Sequence, residues 1–131
     1  MSATAPATSP ELKLVRAVVD DYFQGLYHGD VEKLRSAFHQ NARIVGYREG
    51  TYTDLARDQW LERVSSRPIP SEKGESFDMR IESIDLTGAV GVVKVRDLYT
   101  GLQFTDYLSV MKIEGRWLIM NKVFHHDPKN D

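Results

Sequence analysis

The chain has 131 residues, 27% of them charged and 41% hydrophobic, with 17 Lys and Arg against 19 Asp and Glu and no cysteine. That length and balance describe one globular domain able to bury a core without metal or disulfide staples. A formal charge of −2 with scattered basic residues gives no basis for a nucleic-acid or anionic-membrane partner. The lack of cysteine excludes disulfides, thiolate metal sites and thiol nucleophiles, and fits a reducing, cytoplasmic setting.

The opening stretch MSATAPATSP carries neither the basic nor the apolar segment of a secretory signal. Residues 1–9 therefore read as a disordered tail, 10–127 as a single domain and 128–131 as a short C-terminal tail. No apolar run approaches the ~20 residues that span a bilayer.

From Pro10 to His28, apolar Leu12, Val15, Val19, Tyr22 and Leu26 recur at spacings of three and four. This is the stripe of an amphipathic helix. Pro10 suits its first turn and Gly29 a left-handed stop. Asp30 then caps a short second helix whose inner side is Val31, Leu34 and Phe38. Asn41 to Tyr47 reads as a strand, and about Ala56 to Ser65 as a third helix with Trp60, Leu61 and Val64 inward. RPIPSEKGE, from Arg67 to Glu75, has two prolines and a glycine and reads as a loop. Phe77–Leu86 follows as a strand with a bulge near Ser83, where the apolar row changes parity. Thr87-Gly88 turns into Ala89–Tyr99, and Thr100-Gly101 turns into a long hairpin closed at Glu114-Gly115.

The hairpin, FTDYLSVMKIEGRWLIMNKVFHH, has two largely apolar rows on each strand. Half-solvated strands show one polar row, so both faces of the hairpin call for cover, one by the chain's helices and one by a partner subunit. The plan is α+β, with helices on one face of an antiparallel meander.

Several segments resemble the nuclear transport factor 2-like superfamily, beginning with YFQGLYHGDVEKLRSAFHQNA. FHQNA, SSRPIP, FTDYLSVMKIEGRW and NKVFH are similar to the branch named for lumazine binding, and the resemblance spans Glu11 to His126. It implies a cone-shaped (cystatin-like), strongly curved antiparallel sheet wrapped around the N-terminal helices, enclosing an apolar cavity and often pairing with a second subunit by its convex face. The same superfamily holds isomerases, dehydratases, cyclases and proteins without chemistry, so it does not fix function.

Compared with the ketosteroid isomerases of this fold, Tyr22 stands at the phenol donor. Gly46 and Ser109 stand where two acidic groups are needed. Glycine cannot abstract a proton, so that activity is not expected.

The resemblance turns Met120, Lys122 and Phe124 toward the cavity. With Tyr22, His39, Tyr47, Trp60, Tyr107, Ser109 and Met111 they form the candidate ligand-binding set. Tyr22 is either a cavity donor or a core tyrosine, and Trp60 a packing residue or a ligand contact. Lys122 either holds an anionic group or snorkels to the rim. The opposite row, Leu108, Val110, Trp117, Ile119 and Val123, is the expected homodimer face. His125 and His126 point to opposite sides of a strand and cannot chelate together. No cofactor or metal motif is present. Three readings stay open: a homodimer binding a small apolar or ring-shaped molecule, an isomerase-, dehydratase- or cyclase-type enzyme using His39 or Lys122 as base, and a structural dimer whose cavity its own side chains fill.

Overall fold

The computed structural model describes residues 9–129; of the two expected tails, 1–8 and 130–131 lie outside the described residues. Ser9 accepts the Leu12 amide at 3.2 Å, which satisfies one of the free donors at the start of helix α1 (Pro10–His28). The stripe read from the sequence is the one buried: Val15, Val19, Tyr22 and Leu26 are sealed in the core. Gly29, at φ +65°, ends α1 in the left-handed region. Asp30 then accepts the Lys33 amide and caps α2 (Val31–Ala37).

Strand β1 (Phe38–Arg48) turns at Glu49-Gly50 into β2 (Thr51–Ala56), a polar edge strand absent from the sequence reading. Helix α3 (Arg57–Ser65) follows, burying Trp60, Leu61 and Val64. The proline-rich loop leads into β3 (Met79–Thr87), β4 (Val90–Tyr99), β5 (Leu102–Ile113) and β6 (Arg116–His126). One six-stranded sheet results, in the order β2-β1-β6-β5-β4-β3. The expected all-antiparallel meander needs one correction: β1 pairs with β6 in parallel, so the sheet is mixed. The chain reaches β1 before the meander begins, and its last strand returns beside its first. The helices cover one face, α1 against β6 and β4, α3 against β1 and β2. No described helix is long and apolar enough to cross a membrane.

Two bulges decide which side chains face the helices. One lies between Ile81 and Ser83, as the shifted apolar row predicts. The other is on β6: Ser109 pairs with Asn121 and Val110 with Ile119, leaving Met120 as the extra residue. An inserted residue reverses parity on its strand. Trp117 and Ile119 before the bulge thus share the buried face with Lys122 and Phe124 after it.

Strict alternation had placed these pairs on opposite faces. The expected dimer row is corrected accordingly: Leu108 and Val110 alternate inward with Phe104 and Asp106, Trp117 and Ile119 join them, and all four are core residues. Of the five, Val123 alone is exposed.

Candidate functional site

Register places three ionisable groups on one diagonal of the buried face. Lys122 pairs with Leu108 and Asp106 with Phe124, so Lys122 and Asp106 are diagonal neighbours; Asp97 pairs with Phe104, one further diagonal step onto β4. Such neighbours sit within reach of one another on a sheet. They are the three buried charged residues among those described, with Asp106 at 0%, Asp97 at 1% and Lys122 at 6% exposure.

Tyr22 reaches down from α1 and donates its hydroxyl to Asp106 Oδ2 at 2.6 Å. Its partner is a buried carboxylate on β5. Burial, and then the charge of Asp106, push the Tyr22 hydroxyl well above its usual range, so it stays a donor.

Asp97 is perturbed the same way. Burial comes first and the neighbouring Asp106 second, and together they raise its pKa well above that of an ordinary carboxyl; Lys122 pulls it back in part. Two adjacent buried carboxyls cannot both ionise cheaply, so this pair favours a proton on Asp97. The proton on Asp97 supplies a side-chain hydrogen bond to Asp106, and Asp97 Oδ1 and Asp106 Oδ1 have no other partner among the described residues.

The Lys122 ammonium stands over the rings of Trp60 (4.8 Å), Tyr22 (5.2 Å), Phe124 (5.5 Å) and Phe104 (6.0 Å). Ring faces attract the cation, and no carboxylate comes within 4.0 Å of it among the described residues. Lys122 and Asp97 open onto one cleft, between α3, β1 and the buried face of β4–β6, with Trp60, Tyr99, Phe104 and Phe124 as its walls. Its cavity volume is ≈ 30 Å³, room for about two water molecules. The mouth carries Arg48, Arg63 and Arg67.

Of the sequence-derived set, the structure brings Lys122, Trp60 and Phe124 together at the cleft, with Tyr22 behind them. Tyr47, Tyr107, Ser109 and Met111 do not belong to it; they are exposed on the face away from the helices. Met120 is the half-buried bulge residue. His39 lies at the start of β1, its Nδ1 accepting the Asn41 amide at 3.0 Å, and takes no part in the cleft. Gly46 stands opposite Phe124, where an added Cβ would come within 2.4 Å of the Phe124 carbonyl oxygen and 2.8 Å of its ring. The place where the isomerases need a base is therefore closed to any side chain.

The sequence reading missed Asp97 and Asp106. A signal existed for both: each interrupts an otherwise apolar alternation, Val93-Val95-Asp97-Tyr99 and Phe104-Asp106-Leu108-Val110.

Residues 10–125 match the family described as "Putative lumazine-binding". The protein named Aldolase FrzH, from Cladobotryum sp, is 26% identical over 124 residues, covering 93% of this chain and 96% of that one. Among solved structures, an NTF-2 like protein of unknown function from Silicibacter pomeroyi superposes with a TM-score of 0.80 at 25% identity, covering 92% of this chain and 98% of its own. An NTF2-like protein of unknown function from Methylobacillus flagellatus gives 0.79 at 26%, covering 96% and 100%. The folded part of this chain is matched nearly end to end, and the chain belongs to the Putative lumazine-binding family of the nuclear transport factor 2-like superfamily.

Proposed function

We propose that the cleft binds a small carbonyl compound and catalyses aldol-type addition or its reversal, with Asp97 as proton donor and Lys122 as the fixed positive charge. One observation carries this reading: a buried carboxyl, protonated against its neighbour Asp106, and a buried ammonium with no carboxylate within 4.0 Å among the described residues line the same cleft. A carbonyl oxygen satisfies both at once. When an enol attacks that carbonyl, the electron pair moves onto the oxygen, where Lys122 stabilises the charge. The oxygen takes the proton of Asp97, the enol hydroxyl releases its own to the Asp97 carboxylate, and the donor is restored. Asp106, held by Tyr22, keeps Asp97 protonated between turnovers. The name of the Cladobotryum relative supports this class of reaction. The small cleft volume fits a carbonyl group inserted with the rest of the molecule lying across the mouth. The outer sheet face, apolar and exposed at Tyr47, Tyr107, Met111 and Val123, is the proposed homodimer surface, and the cytoplasm the proposed setting.

The test offers acetylacetone, a stable enol, with glyoxylate and follows the adduct by mass spectrometry. Formation above the buffer rate is expected, falling at least about tenfold (~1.4 kcal/mol) in Asp97→Asn and in Lys122→Met with both variants folded. Binding of glyoxylate without adduct would leave a binding protein. Neither binding nor adduct would favour the structural reading, which the narrowness of the cleft otherwise supports.

A further inference from the structure

Arg48, Arg63 and Arg67 come from three different elements, the end of β1, helix α3 and the loop after it, yet converge on one opening. None forms an ion pair within 4.0 Å among the described residues. Arg48 is held in place by a 3.0 Å hydrogen bond to Thr100 Oγ1 and by the Phe104 ring, 5.6 Å from its guanidinium. Arg67 stands over the Tyr99 ring at 5.9 Å. Burial, followed by the nearby charge of Arg67, makes the Arg48 guanidinium less basic than usual, and Tyr99 and Glu49 offset this only in part. A nearby acid, Glu75, is turned to the backbone, its two oxygens accepting the Thr100 and Gly101 amides at 3.0 and 2.8 Å, and it forms no ion pair with these arginines within 4.0 Å among the described residues.

The chain is slightly acidic as a whole, so this local excess of positive charge is not a property of the surface at large. Guanidinium groups fixed on aromatic faces suit carboxylate or phosphate oxygens, which they grip in pairs. Walls of low dielectric strengthen their field at the opening.

We infer that the molecule entering the cleft carries an anionic oxygen group, carboxylate or phosphate, which Arg48, Arg63 and Arg67 hold at the mouth while its carbonyl reaches Lys122 and Asp97. This rests on the proposed reading of the cleft and adds the substrate class, an anionic carbonyl compound. The charge of Lys122 lies deeper and does not substitute for the mouth, because an anion drawn to it would have to leave solvent entirely.

Binding of matched probes tests the inference at low salt: pyruvate against its neutral methyl ester, and dihydroxyacetone phosphate against dihydroxyacetone. We expect the charged member of at least one pair to bind at least about tenfold more tightly, and the favoured pair identifies the oxyanion. Raising the salt should reduce the difference. Arg48→Met should erase it; should that variant not fold, Arg63→Glu with Arg67→Glu, on the more accessible side of the mouth, should do the same. Equal binding of charged and neutral members, no binding of any probe, or a preference that survives the double substitution would overturn the assignment. Adduct formation indifferent to substrate charge would sink this inference and leave the aldol reading standing. Anion binding lost with the arginines, but without adduct, would do the reverse.

Discussion

Each face of the β5–β6 hairpin departs in part from the ordinary distribution of polarity, although the outer one also exposes Ser109, Asn121 and His125. Its buried face holds Asp106 and Lys122 among Leu108, Val110 and Ile119, whereas its outer face leaves Tyr107, Met111 and Val123 in solvent. Neither arrangement is what stability alone would select. Buried charge is expensive unless well paired, and a contiguous exposed apolar surface marks an interaction site. The proposed small molecule would lie against the first and the proposed second subunit against the other. The inner departure is the sharper of the two, because three ionisable groups are buried side by side there.

The largest effect expected from this contrast is on stability. Leu108 is fully buried and Met111, three residues along the same strand, is 39% exposed. Leu108→Ala removes packed methyl groups and leaves a void, and should cost ~2–5 kcal/mol in urea unfolding. Met111→Ala should stay within about 1 kcal/mol, since it lies outside the core. Similar losses at the two positions would mean that β5 presents the other face to the helices.

A smaller effect appears as a pH dependence of the inner face. Asp97 has a raised folded-state pKa, so the native chain keeps a proton that the unfolded chain releases. Its contribution is fully present below the unfolded value near ~3.9 and is lost as pH rises toward the folded value, at no more than ~1.4 kcal/mol per pH unit. Glu11 and Asp127 are shifted downward and give the opposite slope below their ordinary range, so the readout is the difference between the wild type and Asp97→Asn. Asparagine cannot ionise. The wild type should therefore lose stability relative to the variant as pH rises above about 4; parallel curves would show that Asp97 carries no unusual proton.

Much of the fold was legible because local chemistry and tertiary packing agree. The stripe Leu12-Val15-Val19-Tyr22-Leu26, the Asp30 cap and the Ser83 bulge were each written in a few adjacent residues. The lining of the cleft was legible only in part: Lys122 stood out as a charge in an apolar row, and Trp60 as an aromatic on the inner side of the third helix. The larger error came from Met120. Nothing in RWLIMNKVFHH marks a bulge, since every residue in it tolerates a strand; the extra residue is fixed by pairing with β5. Taking β6 as regular sent Trp117 and Ile119 outward, and choosing the Tyr107-Ser109-Met111 row as the cavity wall drew attention away from Asp106. The parallel β1–β6 pairing depends equally on contacts more than seventy residues apart in sequence, which periodicity does not report.

The outer face supplies the smallest effect on the fold and the clearest one on assembly. Val123 pairs directly with Tyr107 on β5 and with Val45 on β1, near the middle of the sheet, and is 53% exposed. An aspartate there can hydrate in an isolated chain, so Val123→Asp should change the folding free energy of a monomer by only about 1 kcal/mol. In a two-fold dimer built on this face, the same carboxylate and its symmetry mate would be desolvated together, with like charges opposed. A stable interface of this kind buries at least ~1,200 Å² in total, and an uncompensated charge near its centre should turn the dimer into monomers at micromolar concentration. Light scattering on the wild type and Val123→Asp, with circular dichroism to verify that both are folded, reads the outcome. A wild type that is already monomeric, or a variant that remains dimeric, would remove this face as the contact; the inner diagonal of Lys122, Asp106 and Asp97 would stand unaffected, because none of its partners lies on that side of the sheet.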